Sequence, residues 1–189
     1  LLSNGDEIRL TKSQFRAIAK AFEDAGVSDY LRKVGKDIEI KTVYDNIPAG
    51  IWDTGWFQRG AEIDEIINKH SMGVGLGRYF PVADRISDRI LVSTKSLDLM
   101  ADSYHKPTAL KSTLNRALKQ LDTIEELFDD SGMLAKGGGQ QLKLAQFDSK
   151  ALEIILPDVI ISEEVYNALL EFKKEAKSIG IDVWYCITE

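Results

Sequence analysis

The stretch LEIILPDVIISEEVYNALLEFKKEAKSIGIDVWYCIT, residues 152–188, decides the fold class. LEIILP and IDVWYCIT are short apolar runs of the kind that strands buried inside a sheet show. Between them SEEVYNALLEFKKEAKSIG reads as a helix, with Ser162 placed to cap its start and Gly180 to stop it. Strand, helix, strand at this length predicts a right-handed crossover between parallel strands. The chain is therefore expected to be an α/β (α+β) protein with a central sheet flanked by helices.

The elements upstream fit that plan. After Pro107 the spacing of Leu110, Leu114, Leu118, Leu121, Ile124 and Leu127 marks the longest helix. DDSGMLAKGGGQQ (129–141) reads as a flexible connector. RILVSTKS (89–96) reads as a strand with Ile90, Val92 and Thr94 on one face and Leu91, Ser93 and Lys95 on the other. GWFQRGAEIDEIINKH (55–70) is helical, with Trp56, Ile63, Ile66 and Ile67 as its apolar stripe. GVGLG (73–77) does not lead into a helix and reads as a mobile loop. Nearer the start, LTKSQFRAIAKAFEDAG (10–26) predicts an amphipathic helix, SDYLRKVG (28–35) a short second one, and KDIEIKTVYDN (36–46) a half-buried strand. The turn IPAG (47–50) divides an N-terminal helical and strand extension, 1–50, from a main domain, 51–189.

Composition limits the function classes. A net charge of −6 and a pI near 5.1 give no global footprint for nucleic acid, so a polyanionic substrate needs a local basic face or a metal. No apolar run approaches the ~20 residues of a membrane helix. The single cysteine, Cys186, excludes an intrachain disulfide and sits where a core residue is expected. The opening LLSNGDE lacks Met and reads as a piece of a longer protein.

Lys95 carries the first chemical signal. An ammonium on a strand within a sheet needs an acid nearby. Asp84, just past Pro81, is placed to supply it; the alternative is that Lys95 marks an exposed strand end and pairs with Asp98. A second acid is available on the preceding helix, which offers Glu62, Asp64 and Glu65. At 100° per residue Asp64 lies beside the isoleucine stripe, while Glu65 points away and has Lys69 one turn on. Carboxylates from two places can hold a divalent cation, and a lysine beside them can stabilise charge developing on a phosphodiester. His70, His105 and Cys186 lack the spacing of a zinc site. Lys106, Lys111, Arg116 and Lys119 form a modest basic series near the start of the long helix.

The series RGxxID (Arg59–Asp64), FPxxD (Phe80–Asp84) and SxKSxDL (Ser93–Leu99), followed by Tyr104, resembles nuclease toxins of the PD-(D/E)xK superfamily. It is similar in particular to the C-terminal toxin domains of bacterial contact-dependent growth-inhibition proteins, over about residues 52–189. The resemblance implies a mixed sheet with a restriction-endonuclease-like core and an endonuclease using Mg²⁺, Mn²⁺ or Zn²⁺. Its substrate would be target-cell tRNA or DNA, with the acidic composition favouring tRNA. Asp84 and Lys95 match the motif acid and lysine, Ser93 replaces the second motif acid, and Asp64 stands where the family has Glu. Glu65 or Glu62 is the alternative to Asp64 as helix acid, and Asp88 is a spare acid for the metal shell. Arg78, Lys106 and Lys111 are the expected nucleic-acid contacts. The resemblance further implies a cognate immunity protein and export as the C-terminal part of a larger surface protein, with action in the target-cell cytoplasm. Residues 1–50 would then be a toxin-specific addition or an entry segment.

Overall fold

A computed structural model describes residues 38–70, 73–77, 80–104, 106–135 and 141–188, the segment Leu31–Lys33, and the isolated helical positions Ser13, Ala17 and Ala21. The rest of the helix expected over 10–26 lies outside the described residues.

In chain order the elements are β1 (Leu31–Lys33), β2 (Ile40–Tyr44), a 3-10 turn (Ala49–Asp53), α1 (Trp56–His70), β3 (Val74–Gly75), β4 (Arg85–Ser87) and β5 (Ile90–Ser96). They continue with α2 (Pro107–Asp122), β6 (Met133–Ala135), β7 (Gln141–Lys143), β8 (Ser149–Pro157), β9 (Ile160–Ser162), α3 (Glu163–Ser178) and β10 (Ile181–Thr188). Six strands form one mixed sheet in the order β2-β10-β8-β5-β4-β3. β2, β10, β8 and β5 run parallel, while β4 and β3 are antiparallel additions at one edge.

The expected crossover is present as β8–α3–β10. Val165 N donates to Ser162 Oγ at 3.3 Å, and Gly180 ends the helix at φ +81°, a conformation glycine reaches without a Cβ penalty. α2 and α3 cover one face of the sheet, burying Leu110, Leu114, Leu169 and Phe172 against Leu91, Leu152, Ile154 and Tyr185. α1 covers the other face, where Ile63 and Ile67 meet Ile47, Ile51, Trp52, Ile155 and Cys186.

Three segments depart from expectation. Leu31–Lys33, expected in a short helix, pairs antiparallel with β9. Part of the expected connector forms a ribbon, β6 with β7, in which Leu134 lies opposite Leu142 and both are buried in the core. Within the expected GVGLG loop, Val74–Gly75 pairs with β4, and Gly73 lies so close that a Cβ there would come 2.7 Å from the Ile86 carbonyl. Glycine at this position is thus a matter of close approach. β2, which joins the main sheet through β10, comes from before the expected division at residue 50.

Polar groups buried between the strands lock the sheet together. The carboxylate of Glu153 on β8 accepts two bonds from Arg85 on β4, at 2.8 and 2.9 Å. It also accepts from Thr94 Oγ1 at 2.9 Å and from the Tyr44 hydroxyl at 3.0 Å. Arg85 donates in addition to Thr94 Oγ1 at 2.9 Å. One carboxylate therefore ties together residues of β2, β4, β5 and β8. A buried bidentate ion pair of this kind specifies register, because misaligned strands would strand a charge in the interior. Glu153→Ala is expected to lower stability by about 3–5 kcal/mol, since it leaves the Arg85 charge unpaired. Arg85→Met combined with Glu153→Leu is expected to cost far less. Urea unfolding curves of the two variants check this, and equal losses would contradict it.

Candidate active site

The expected cluster is assembled at the strand that follows Pro81. Val82 has φ +67°, unusual for a β-branched residue, and Ala83 N donates to the Pro81 carbonyl at 2.7 Å across it. This is a tight three-residue turn whose backbone strain needs outside support. Ser93 Oγ provides it by donating to the Val82 carbonyl. The turn delivers Asp84, whose Oδ2 accepts from the backbone N–H of Thr94 at 2.6 Å.

Lys95 is held alongside. Its Nζ donates to Ser93 Oγ at 3.0 Å and to the Thr94 carbonyl at 2.8 Å. Asp84 Oδ2 lies 3.9 Å away, which is ion-pair range but beyond a hydrogen bond. An ammonium has three donors, so the third has no hydrogen-bond acceptor among the described residues. Asp98, the alternative partner for Lys95, is instead buried and faces Arg59 at 3.6 Å.

Asp64 reaches the cluster from α1. It lines an open groove of about 660 Å³ together with Lys95, Thr94 and Tyr104. Its carboxyl is pushed up to about 7 by burial first, and then by the negative charges of Asp84 and Glu153, with Lys95 and Arg85 acting the other way. Asp84 is also raised by burial, with the Lys95 charge and the Thr94 N–H pulling it back. Two carboxyls that oppose each other's ionisation make a site in which a cation would be stabilising. Hard oxygen donors, with room for water in the open groove, suit Mg²⁺ or Mn²⁺ better than an all-protein cage. Among the described residues no group of three or more His, Cys, Asp and Glu side chains is placed to hold a metal ion.

The other expected residues fall elsewhere. Glu65 is exposed and pairs with Lys69 at 2.6 Å, while Glu62 accepts from Gln58 on the helix surface. Asp88 and Arg89, at φ +49° and +62°, form the two-residue turn joining β4 to β5, and both are exposed. Lys111 joins α2 to α3 through Glu171 at 2.5 Å. Lys106 is exposed at the start of α2, and Arg78 lies outside the described residues. Cys186 has its thiol pushed up to about 12 by burial and the Glu153 charge, so it stays protonated as the core residue expected.

Sequence reasoning does not single out Arg85, Glu153 or Tyr44. The available signal is a lone glutamate inside the apolar run of β8. Trp56, expected in the core stripe, is 78% exposed. The interior position is taken by Trp52 from the preceding turn, which donates to Thr188 Oγ1 at 2.7 Å and packs its ring 5.3 Å from the Arg59 guanidinium.

A family model described as the CDI toxin restriction endonuclease-like domain matches residues 59–185. Among solved structures, the chain resembles one from the "CdiA-CT/CdiI toxin and immunity complex from Yersinia pseudotuberculosis". The TM-score is 0.50 at 15% identity, over 72% of this chain and 100% of that one, a likeness of fold. No curated protein matches the chain.

The raised Asp64 carboxyl has a consequence for stability. From its ordinary value of 3.8 up to about 7 the folded protein keeps a proton that the unfolded chain has lost, so stability falls as pH rises through that window. Without metal, Asp64→Asn is expected to flatten this decline and to be more stable than wild type at pH 8 by about 1–3 kcal/mol. Urea midpoints at pH 5 and pH 8 test it; a variant that is less stable at pH 8 would show that Asp64 is not held in an unfavourable field.

Proposed function

The chain belongs to the family of CDI toxin restriction endonuclease-like domains, and from that premise we propose that it is a metal-dependent endonuclease acting on target-cell nucleic acid. The observation that carries this reading is the meeting of Asp64 from α1, Asp84 from the turn before β4 and Lys95 from β5, with their charges acting on one another.

In this reading Asp64 and Asp84 hold the divalent ion through their oxygens. The ion, when bound, supplies Lewis acidity toward a phosphate oxygen and lowers the pKa of a water. Lys95 directs its third N–H at a phosphate oxygen and stabilises the charge that grows there in the transition state. Ser93 acts through Lys95, fixing the ammonium while it braces the Val82 turn. Thr94 holds Asp84 through its backbone and the buried ion pair through its hydroxyl.

The substrate is taken to be RNA of compact fold, tRNA before DNA. The support is an acidic chain whose cations at the site are few, which suits a local grip better than tracking along a duplex. An immunity protein that covers the groove is the natural partner, since the similar Yersinia structure is itself a toxin and immunity complex. Delivery as the C-terminal part of a bacterial surface protein, and action in the cytoplasm of the target cell, complete the reading. Residues 1–50 are kept as an addition to the nuclease domain 51–189.

Incubation with tRNA and with plasmid DNA under Mg²⁺, Mn²⁺ and Zn²⁺ tests the proposal. Wild type is expected to cut at least one substrate, and Lys95→Ala and Asp84→Ala to slow cleavage by about 10²-fold or more. Binding without cleavage under every cation would sink the enzymatic reading and leave a nucleic-acid-binding module. Lys95→Ala cutting as fast as wild type would sink the site assignment alone.

A further inference from the structure

Trp56 and Phe57 open α1 with their rings in solvent, at 78% and 65% exposure. The rings meet edge to face, with centroids 5.8 Å apart at 85°, so they form a braced corner with aromatic faces turned outward. The corner lines the same groove as Asp64 and Lys95.

The wall between the two ends is bare. Along α1 it runs from Phe57 over Gly60 and Ala61 to Asp64, residues that share one helix face. A Cβ at Gly60 would meet nothing within 4 Å, so even that position opens onto free space. From Phe57 to Asp64 is about 10 Å of helix. Opposite, α2 turns Arg116 and Gln120 into the groove, both exposed and neither hydrogen-bonded or ion-paired among the described residues. Aromatic faces, a cation and an amide in one groove, leading to a phosphodiester-cleaving cluster, are the chemistry that grips a single strand by stacking.

We infer that the Trp56–Phe57 corner is a stacking subsite for an unpaired nucleobase flanking the phosphate at Asp64, Asp84 and Lys95, with Arg116 on the adjoining backbone. The inference rests on the nuclease reading and narrows its substrate to a single strand, a loop or an unpaired end. A base inside a continuous duplex has both faces already stacked and offers none to the corner.

Binding measured without cleavage tests this independently of turnover. Lys95→Ala protein is titrated with short single-stranded RNA and DNA oligonucleotides carrying 2-aminopurine, and with the same sequences annealed to their complements. Of the three tryptophans Trp52 is buried and Trp184 half-buried beneath Lys41, whereas Trp56 is exposed, so tryptophan quenching that disappears with Trp56→Ala reports contact of a base with Trp56. The single strands are expected to quench both 2-aminopurine and tryptophan emission. Adding Trp56→Ala and Phe57→Ala is expected to weaken that binding roughly tenfold or more. Both rings are exposed, so their removal leaves the core intact. An effect in either the RNA or the DNA arm supports the subsite and names the preferred sugar. Unchanged affinity in the double aromatic variant overturns it, as does equal quenching by the duplexes. Unchanged oligonucleotide affinity with lost binding of an immunity protein would also overturn it, assigning the corner to a protein interface. If wild type cuts no nucleic acid, the nuclease reading fails while the stacking result still stands or falls on its own.

Discussion

The ion pair between Arg85 and Glu153 is the constraint on which the rest of the structure depends. Both groups are buried, and a charge taken out of water is tolerated only where its partner meets it in good geometry. That requirement sets β4 against β5 and β8, and it reaches β2 through Tyr44. Asp84 immediately precedes Arg85 in the chain. Fixing one therefore fixes the other, and the carboxyl of Asp84 arrives at the backbone of Thr94.

Strand β5 turns this constraint into a site because its side chains alternate. Thr94 faces the ion pair. Ser93 and Lys95 lie on the other side, where the serine braces the strained Val82 turn and anchors the ammonium. The same field that stabilises the ion pair acts on Asp64, whose carboxyl feels Glu153 and Arg85 as well as Asp84 and Lys95. Structural charge and candidate catalytic charge thus form one electrostatic unit. Ser93 is committed to two contacts, the Val82 carbonyl and the Lys95 ammonium, which leaves Asp64 and Asp84 as the carboxyls that act on Lys95.

The parts legible in the sequence are those governed by local rules. The crossover β8–α3–β10 follows from two apolar runs around a capped helix, and the faces of β5 follow from simple alternation. The inward lean of Asp64 and the outward pairing of Glu65 follow from 100° steps on α1. What is not legible depends on contacts distant in the chain. Glu153 stands out only as an odd acid in an apolar strand, and its partner Arg85 lies 68 residues away. Helical periodicity puts Trp56 in the core, but it cannot register that Trp52 already occupies that place. Leu31–Lys33 has too few residues for its pattern to distinguish a helical turn from a strand, and pairing with β9 decides it. The ribbon of β6 and β7 is hidden because glycine-rich sequence reads as linker, while its two inward leucines carry the packing.

The central claim is that Asp64 and Asp84 together form a cation site. Calorimetric titration of Mn²⁺ into the metal-free chain, compared with the Asp64→Asn, Asp84→Asn double variant, tests it most directly. The account predicts saturable binding in wild type and its loss in the variant, with the fold retained. Equal Mn²⁺ affinity in the two proteins would contradict it.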